Sequence, residues 1–292
     1  MPDESRRLFF SKTYEYLESY LPGQVGRSPH TVESYRDALA VFRRCAAEVL
    51  GKGVRELEFG DVGRDCLLGF LGHMRSAGLS AGTCNQRLAA VGAYIWYAAD
   101  SNVALQSLAP AASSIPPAKG PVGVGETLSR GALAALLAAS DPATKVGMRD
   151  RAVLATLYDA ALRLSELTGL RVGDCRLEGP DPCLFVTGKG SKERAVAVAG
   201  ATAGQIAQVV AVYHGARPDG AAPVFCHASR GGLAPLSPSS VQRIVGKYSE
   251  AARSACGEFP ERCHPHMLRR TRATGLYQAG VPLELVSRIL GH

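Results

Sequence analysis

Residues 264–292 read HPHMLRRTRATGLYQAGVPLELVSRILGH, and two earlier stretches share their basic, partly apolar character: DAALRLSELTGLRVGD at 159–174 and TGKGSKERAV at 187–196. In the first, His266 and Arg269 stand at i and i+3, so a helix from His266 to the end of the chain puts them on one face. Alone, that is a basic surface helix. In the second, Arg163 sits between Leu162 and Leu164, within a helix expected over Arg149–Leu164. The plain alternative to a functional arginine there is one paired with Glu166 or with a helix C-terminus. In the third, strands expected at Leu184–Val186 and Arg194–Val198 flank a Gly-rich basic hairpin. It is not a phosphate loop of the Walker type, because Cys183-Leu184-Phe185 stand where that motif needs its upstream glycine.

Upstream of these stretches the chain reads as short amphipathic helices. Leu8–Leu21 carries apolar and aromatic residues at helical spacing. Ser28-Pro29 opens a second helix as cap and first-turn proline, with the stripe Val32, Tyr35, Leu39 and Phe42. Asp61 is the expected cap of a third, which holds Leu67, Leu68, Phe70 and Leu71 and ends near Gly78. Ser80 caps a fourth, with Leu88, Val91, Ile95 and Trp96 along it. Four such helices with short loops make a compact bundle over 1–103. The stretch 104–126 contains PAASSIPPAKGPVGVG, which has no periodicity and reads as a linker. A second domain follows over 127–292, with Ser129 capping its first helix and another helix at about Ser239–Ala255.

The charge is unevenly placed. The whole chain is +7, yet residues 1–127 hold 13 basic and 13 acidic side chains, and residues 128–292 hold 20 and 13. A basic second half points to a polyanion partner there. Apolar residues make up 46% of the 292 and charged residues 20%, which excludes global disorder. The uncharged stretches 101–118 and 195–216 are too rich in proline or polar side chains to span a membrane, so no membrane partner is expected. Eight scattered cysteines without a CxxC pair, behind an N-terminus lacking an apolar signal core, are expected to be reduced thiols in the cytoplasm. Cys226-His227 and Cys263-His264-Pro265-His266 match no common zinc spacing, so no metal site is expected.

Taken in order, ALRLSEL, GKGSKER, HMLRRT and LGH resemble the tyrosine recombinase (phage integrase) family, and the N-terminal bundle resembles that family's core-binding domain. The likeness runs over about residues 8–292. It implies a mainly α fold with a small β-sheet: an N-terminal helical, SAM-like core-binding domain and a C-terminal α+β catalytic domain cut short at the LGH sequence. By position it makes Arg163 and Arg269 the two catalytic arginines, Lys189 the catalytic lysine, and His266 and His292 the catalytic histidines. Lys192, Arg194, Arg270 and Arg272 are expected along the DNA. Ala161 stands where the family commonly has glycine, and Arg270 and Gly275 replace frequent histidines.

The chemistry suits these residue types. A phosphodiester under attack gathers negative charge on its non-bridging oxygens, and guanidiniums bind such oxygens bidentately. A histidine supplies a hydrogen bond or handles a proton near neutral pH. A lysine with a lowered pKa can protonate the leaving 5′ oxygen. The resemblance therefore implies a site-specific DNA recombinase or integrase with no cofactor and no metal, working through a 3′-phosphotyrosyl intermediate on double-stranded DNA in the bacterial nucleoid. The two domains would close on the duplex as a clamp, as a tetramer on paired sites. The nucleophilic tyrosine is expected beyond His292, leaving the chain as given inactive and monomeric. Tyr277 is expected at a packing position and is not that nucleophile. A non-catalytic DNA-binding relative and a type IB topoisomerase-like enzyme are the alternatives.

Overall fold

The computed structural model describes residues 8–100, 105–106, 110, 114–120, 125–188 and 193–291. The chain divides into two compact units, Met1–Gly123 and Val124–His292.

The first unit begins with a helical run that changes pitch: a 3-10 turn Phe9–Lys12, a single turn α1 (Thr13–Glu15), then a π-helical stretch Tyr16–Gln24. Helix α2 (Pro29–Leu50) starts where Ser28 Oγ accepts from the Thr31 N–H at 3.2 Å, and it stops at Gly51 with φ 63°. Helix α3 (Arg64–Ser76) differs from expectation at its start, because Gly63 and not Asp61 precedes it. The Asp61 carboxylate is taken by the Glu58 N–H at 3.0 Å and by Lys52 Nζ at 2.6 Å, closing the turn before the helix. Helix α4 (Ala81–Asp100) is capped by Ser80, which accepts from the Thr83 N–H.

Aromatic rings fill this core. Phe9 lies 4.9 Å from Phe59 and 5.4 Å from Phe42, Phe42 meets Phe70 at 5.1 Å, and Tyr94 packs on Phe9 and Tyr16. The Tyr94 hydroxyl donates to the Phe9 carbonyl at 2.5 Å, so the buried phenol is satisfied. Leu88, Val91 and Ile95 turn inward, whereas Trp96, one residue on and about 100° around the helix, is 51% exposed. Part of the expected linker belongs to this core. Ile115 and Ala118 are buried in it, and Asn85 exchanges two hydrogen bonds with the Ala118 backbone.

The second unit opens with α5 (Arg130–Ala138), capped by Ser129, and α6 (Lys145–Asp159), capped by Thr144. Here the expected helix over Arg149–Leu164 is corrected. The helix ends at Asp159, Ala161 adopts φ 48°, and a new short helix α7 (Leu164–Gly169) begins directly after Arg163. Three antiparallel strands follow, β1 (Cys175–Arg176), β2 (Cys183–Thr187) and β3 (Glu193–Ala197), with Cys183 opposite Ala197 and Thr187 opposite Glu193. Alternation buries Leu184, Val186 and Val196 and leaves Phe185 outward. Helix α8 (Gly200–His214) comes next, then a hairpin of β4 (Cys226–Ser229) and β5 (Gly232–Pro235) that no sequence signal announced, and α9 (Pro238–Ala255) capped by Ser237.

The last helix is two. α10 (Pro265–Gln278) ends before Gly280 at φ 85°, and α11 (Leu283–Leu290) restarts after Pro282. Leu136, Val153, Leu157, Leu184, Ile206, Val245 and Leu268 share one core with these elements. No helix among the described residues is long and apolar enough to cross a membrane, and the eight cysteines are free thiols.

Candidate active site

The site is assembled at three chain breaks. At the first, Ala161 holds a left-handed conformation that costs a non-glycine residue about 1 kcal/mol. Its carbonyl accepts from Arg269 Nη1 at 2.6 Å. Two residues later Arg163 occupies the N-cap of α7. Its backbone N–H donates to Glu166 Oε2 at 2.8 Å and its Nη1 to Oε1 at 2.9 Å. Glu166 sits at the third helical position, where a carboxylate suits both the orphan N–H and the positive end of the helix dipole.

The second contribution comes from β3. Arg194 places Nη1 2.8 Å from Glu166 Oε1 and Nη2 2.9 Å from Oε2, a bidentate pair on a carboxylate that is 2% exposed. The third comes from α10, which carries Arg269, 4% exposed, to within 3.9 Å of Glu166 Oε2. Three guanidiniums therefore face one carboxylate. All three also reach the end of α11: Arg194 Nε donates to the Ile289 carbonyl at 3.2 Å, Arg269 Nη2 to Leu290 at 2.5 Å, and Arg163 Nη2 to Gly291 at 2.9 Å. Last-turn carbonyls have no intrahelical partner, so the arginines cap the helix that holds the LGH sequence.

The electrostatics follow. Burial opposes ionisation of Glu166, but the hydrogen bonds from Arg194 and Arg163 outweigh it and bring its pKa down to about 2. Burial and the neighbouring Arg163 lower Arg269 to about 10, which still leaves it cationic at neutral pH. His266 is pushed below its usual value by partial desolvation and then by Arg270, Arg269, His264 and Arg163, so it is largely neutral at pH 7. His264 caps α10 by accepting from the Met267 N–H on Nδ1, and its ring stacks on that of His266 at 6.4 Å.

Of the residues expected in the site, Arg163 and Arg269 are brought together, and His266 lies exposed in the first turn of the helix that carries Arg269. Lys189, Lys192 and His292 lie outside the described residues. Three residues expected along DNA have internal partners. Arg194 turns into the Glu166 cluster, Arg270 Nη1 donates to the Glu126 carbonyl at 3.3 Å, and Arg272 pairs with Asp159 at 3.2 Å and lies over the Tyr158 ring. Arg270 also packs flat on Gly125, where a Cβ would stand 2.1 Å from the guanidinium. Tyr277 is 57% exposed, not packed as expected. It lies eight residues beyond Arg269 on α10, about 12 Å along the axis, too far to share a reacting atom with it. Among the described residues no group of three or more metal-ligating side chains forms, the cysteine–histidine pairs included.

Two residues of the cluster were not legible as such. Glu166 stood in the sequence only as a possible mate for Arg163. Its N-cap-plus-three spacing, the capping-box signature, could have placed it. Arg194 gave no signal, because its inward direction depends on strand register.

Comparison with known proteins gives the family and the fold. Residues 126–292 match the model of the phage integrase family, and residues 15–102 match the phage integrase N-terminal SAM-like domain. The chain is 31% identical over 289 residues to a tyrosine recombinase XerC of Pelotomaculum thermopropionicum, covering 94% of this chain and 87% of that one. It is 32% identical over 282 residues to a putative integrase/recombinase of Sinorhizobium fredii, covering 94% and 83%. Its fold resembles the Tn1549 transposon integrase solved with a circular intermediate DNA, with TM-score 0.71, 17% identity and coverage of 97% and 90%. It also resembles a lambda integrase dimer bound to a core site, with TM-score 0.67, 16% identity and coverage of 96% and 94%.

Proposed function

The chain belongs to the phage integrase family of tyrosine recombinases, and on that premise we propose that it is a site-specific recombinase that breaks and rejoins double-stranded DNA through a 3′-phosphotyrosyl intermediate. The observation that carries this reading is the convergence of Arg163 and Arg269 beside one buried carboxylate, with Arg194 on its other side.

Arg163 and Arg269 clamp the non-bridging oxygens of the scissile phosphate. Of the two, the Arg163 side chain is 32% exposed and meets the DNA first, while Arg269 is fixed from behind by the Ala161 and Leu290 carbonyls. Donors held in place need no reorganisation as charge develops, which is the source of electrostatic catalysis. His266, kept neutral by partial desolvation and by the cations around it, is free to accept or return a proton near pH 7. In the reaction so proposed, Lys189, which lies in sequence between β2 and β3, protonates the 5′ leaving oxygen, and His292 is the second histidine. The attacking group in this reading is a tyrosine. Its phosphotyrosyl bond keeps the energy of the broken phosphodiester, so religation needs no nucleotide. Strand exchange on paired sites calls for a tetramer. Arg270 and Arg272 steady the walls of the site and touch the flanking backbone with their remaining donors.

The test is covalent adduct formation on a nicked suicide duplex. Arg269→Ala abolishes the adduct while circular dichroism and the melting transition show a folded chain. Adducts formed at the wild-type rate by that variant contradict the assignment.

A further inference from the structure

Helices α2, α4, α5, α6 and α9 each begin at a serine or threonine whose hydroxyl accepts a first-turn N–H. Helix α10, which carries His266 and Arg269, begins at a histidine instead. His264 is exposed and accepts from the Met267 N–H on Nδ1 at 3.2 Å, a donor that its own carbonyl shares at 2.9 Å. Its ring lies 6.4 Å from that of His266, at an interplanar angle of 12°. Pro265, the residue between them, is buried and fixes the backbone at the first helical position. The two rings form one stacked pair at the start of the helix.

The acceptor decides which form of the cap works. A hydroxyl accepts at any pH near neutrality. An imidazole nitrogen accepts only while it holds no proton, so this geometry calls for neutral His264 with its proton on Nε2. A proton on Nδ1 would face the Met267 N–H, donor to donor, and the cation would stand at the positive end of the helix dipole. Both effects turn the ring away. His266 then loses its stacked neighbour in a first turn that frays. The charges around the pair are mainly positive. Arg270, Arg269 and Arg163 act on His266, Arg253 of α9 acts on the Cys263 thiol, and Arg262 is exposed in the loop before the cap. Glu261 is exposed in the same loop, and Arg253 holds its carbonyl at 2.6 Å.

We propose that His264 is a positioning residue for DNA cleavage: its neutral ring caps α10 and holds the His266 ring flat beside it, and acid undoes both. The catalytic half of this rests on the function proposed above.

The first experiment is an NMR titration of the ring nitrogens over about pH 5–8, where histidines change charge. His264 is expected as the Nε2–H tautomer at the upper end, and the Met267 amide is expected to shift along the same curve as the His264 ring. An Nδ1–H tautomer, or a Met267 amide that ignores the ring, overturns the proposal. The second experiment is single-turnover cleavage of a nicked suicide duplex at saturating DNA. It compares wild type, His264→Ser, His264→Ala, His264→Phe and Arg269→Ala, with circular dichroism in parallel. At the alkaline end His264→Ala and His264→Phe are expected to cleave about five- to tenfold slower, phenylalanine keeping a ring without the acceptor, and His264→Ser to recover most of that loss. On acidification the rate of His264→Ser relative to wild type is expected to rise about threefold or more, because a hydroxyl cap does not titrate. A role through charge alone gives the opposite sign. Removing the His264 cation lets His266 take up its proton more readily, so His264→Ser would then lose rate faster than wild type in acid. A ratio that stays level or falls overturns the proposal. If His264→Ala or His264→Phe does not fold, the ratio of His264→Ser to wild type decides. Should Arg269→Ala cleave like wild type, the function itself is misread. Should it be dead while the His264 variants match wild type at every pH, this inference alone fails.

Discussion

The second unit buries two ion clusters of opposite arithmetic. Around Asp150, Arg149 places Nε and Nη2 on Oδ1 at 3.0 and 2.6 Å, Tyr248 donates to Oδ2 at 3.1 Å, and Arg149 Nη1 is spent on the Cys226 carbonyl at 3.0 Å. One cation meets one anion and nothing is left over. Around Glu166, among the described residues, three cations meet one carboxylate, and the most exposed of them is Arg163. A balanced pair joins elements together. Three guanidiniums on one carboxylate join α7, β3 and α10, and in the proposed function they receive the phosphate. The first unit offers a third case, since every buried charged side chain among the described residues lies in the second unit and the first is packed on aromatic rings.

This comparison can be broken. The largest effect falls on activity at the unbalanced cluster. Arg163→Met is expected to slow cleavage by about 10²–10³-fold, as loss of one fixed oxyanion donor does, while stability moves by less than about 1 kcal/mol. Stopped-flow or quenched cleavage beside a denaturant titration checks both halves. At the balanced pair the order reverses. Asp150→Ala strands a buried guanidinium and is expected to cost about 3–5 kcal/mol of folding stability, read by urea denaturation.

Acid separates the clusters next. Glu166 ionises near 4.5 in an unstructured chain and at about 2 in the folded one, so the unfolded state takes up more protons on acidification. Its contribution of about 3 kcal/mol is complete above about pH 5 and is lost as the pH falls toward 2. Glu166→Gln should flatten that part of the stability–pH curve, and an unchanged curve would contradict the pairing. The smallest effect belongs to the first unit. Tyr94→Phe removes the bond to the Phe9 carbonyl and the long one from the Thr13 hydroxyl, and is expected to lower stability by about 1 kcal/mol without touching the cleavage rate.

How much of this was legible beforehand follows from what is local. Ser28, Ser80 and Ser129 cap the helices they were expected to cap, because a cap is decided within three residues. The two-part mostly helical fold and the family resemblance were carried by short ordered motifs. Asp61 misled because Lys52 and the Glu58 amide compete for its carboxylate, and Lys52 arrives from nine residues away. The break after Asp159 was hidden because Ala160-Ala161-Leu162 continues an apolar helical pattern, and only the Arg269 contact shows why Ala161 is held left-handed. The split between α10 and α11 was written in Gly280 and Pro282, yet the apolar residues beyond them masked it. Arg194 was read as a DNA contact, since basic residues near a Gly-rich hairpin look solvated. Its partners come from residues 166 and 289, which no local pattern connects to it.

The central claim is that the arginine cluster around Glu166 receives a phosphate. The most direct measurement is the melting temperature of the chain against inorganic phosphate, at ionic strength held constant with chloride. Wild type should rise with phosphate along a mass-action curve, and Asp150→Asn should show the same increment from a lower start. Arg163→Met should lose most of the rise. An equal rise in wild type and Arg163→Met would show that the phosphate binds elsewhere and would contradict the claim.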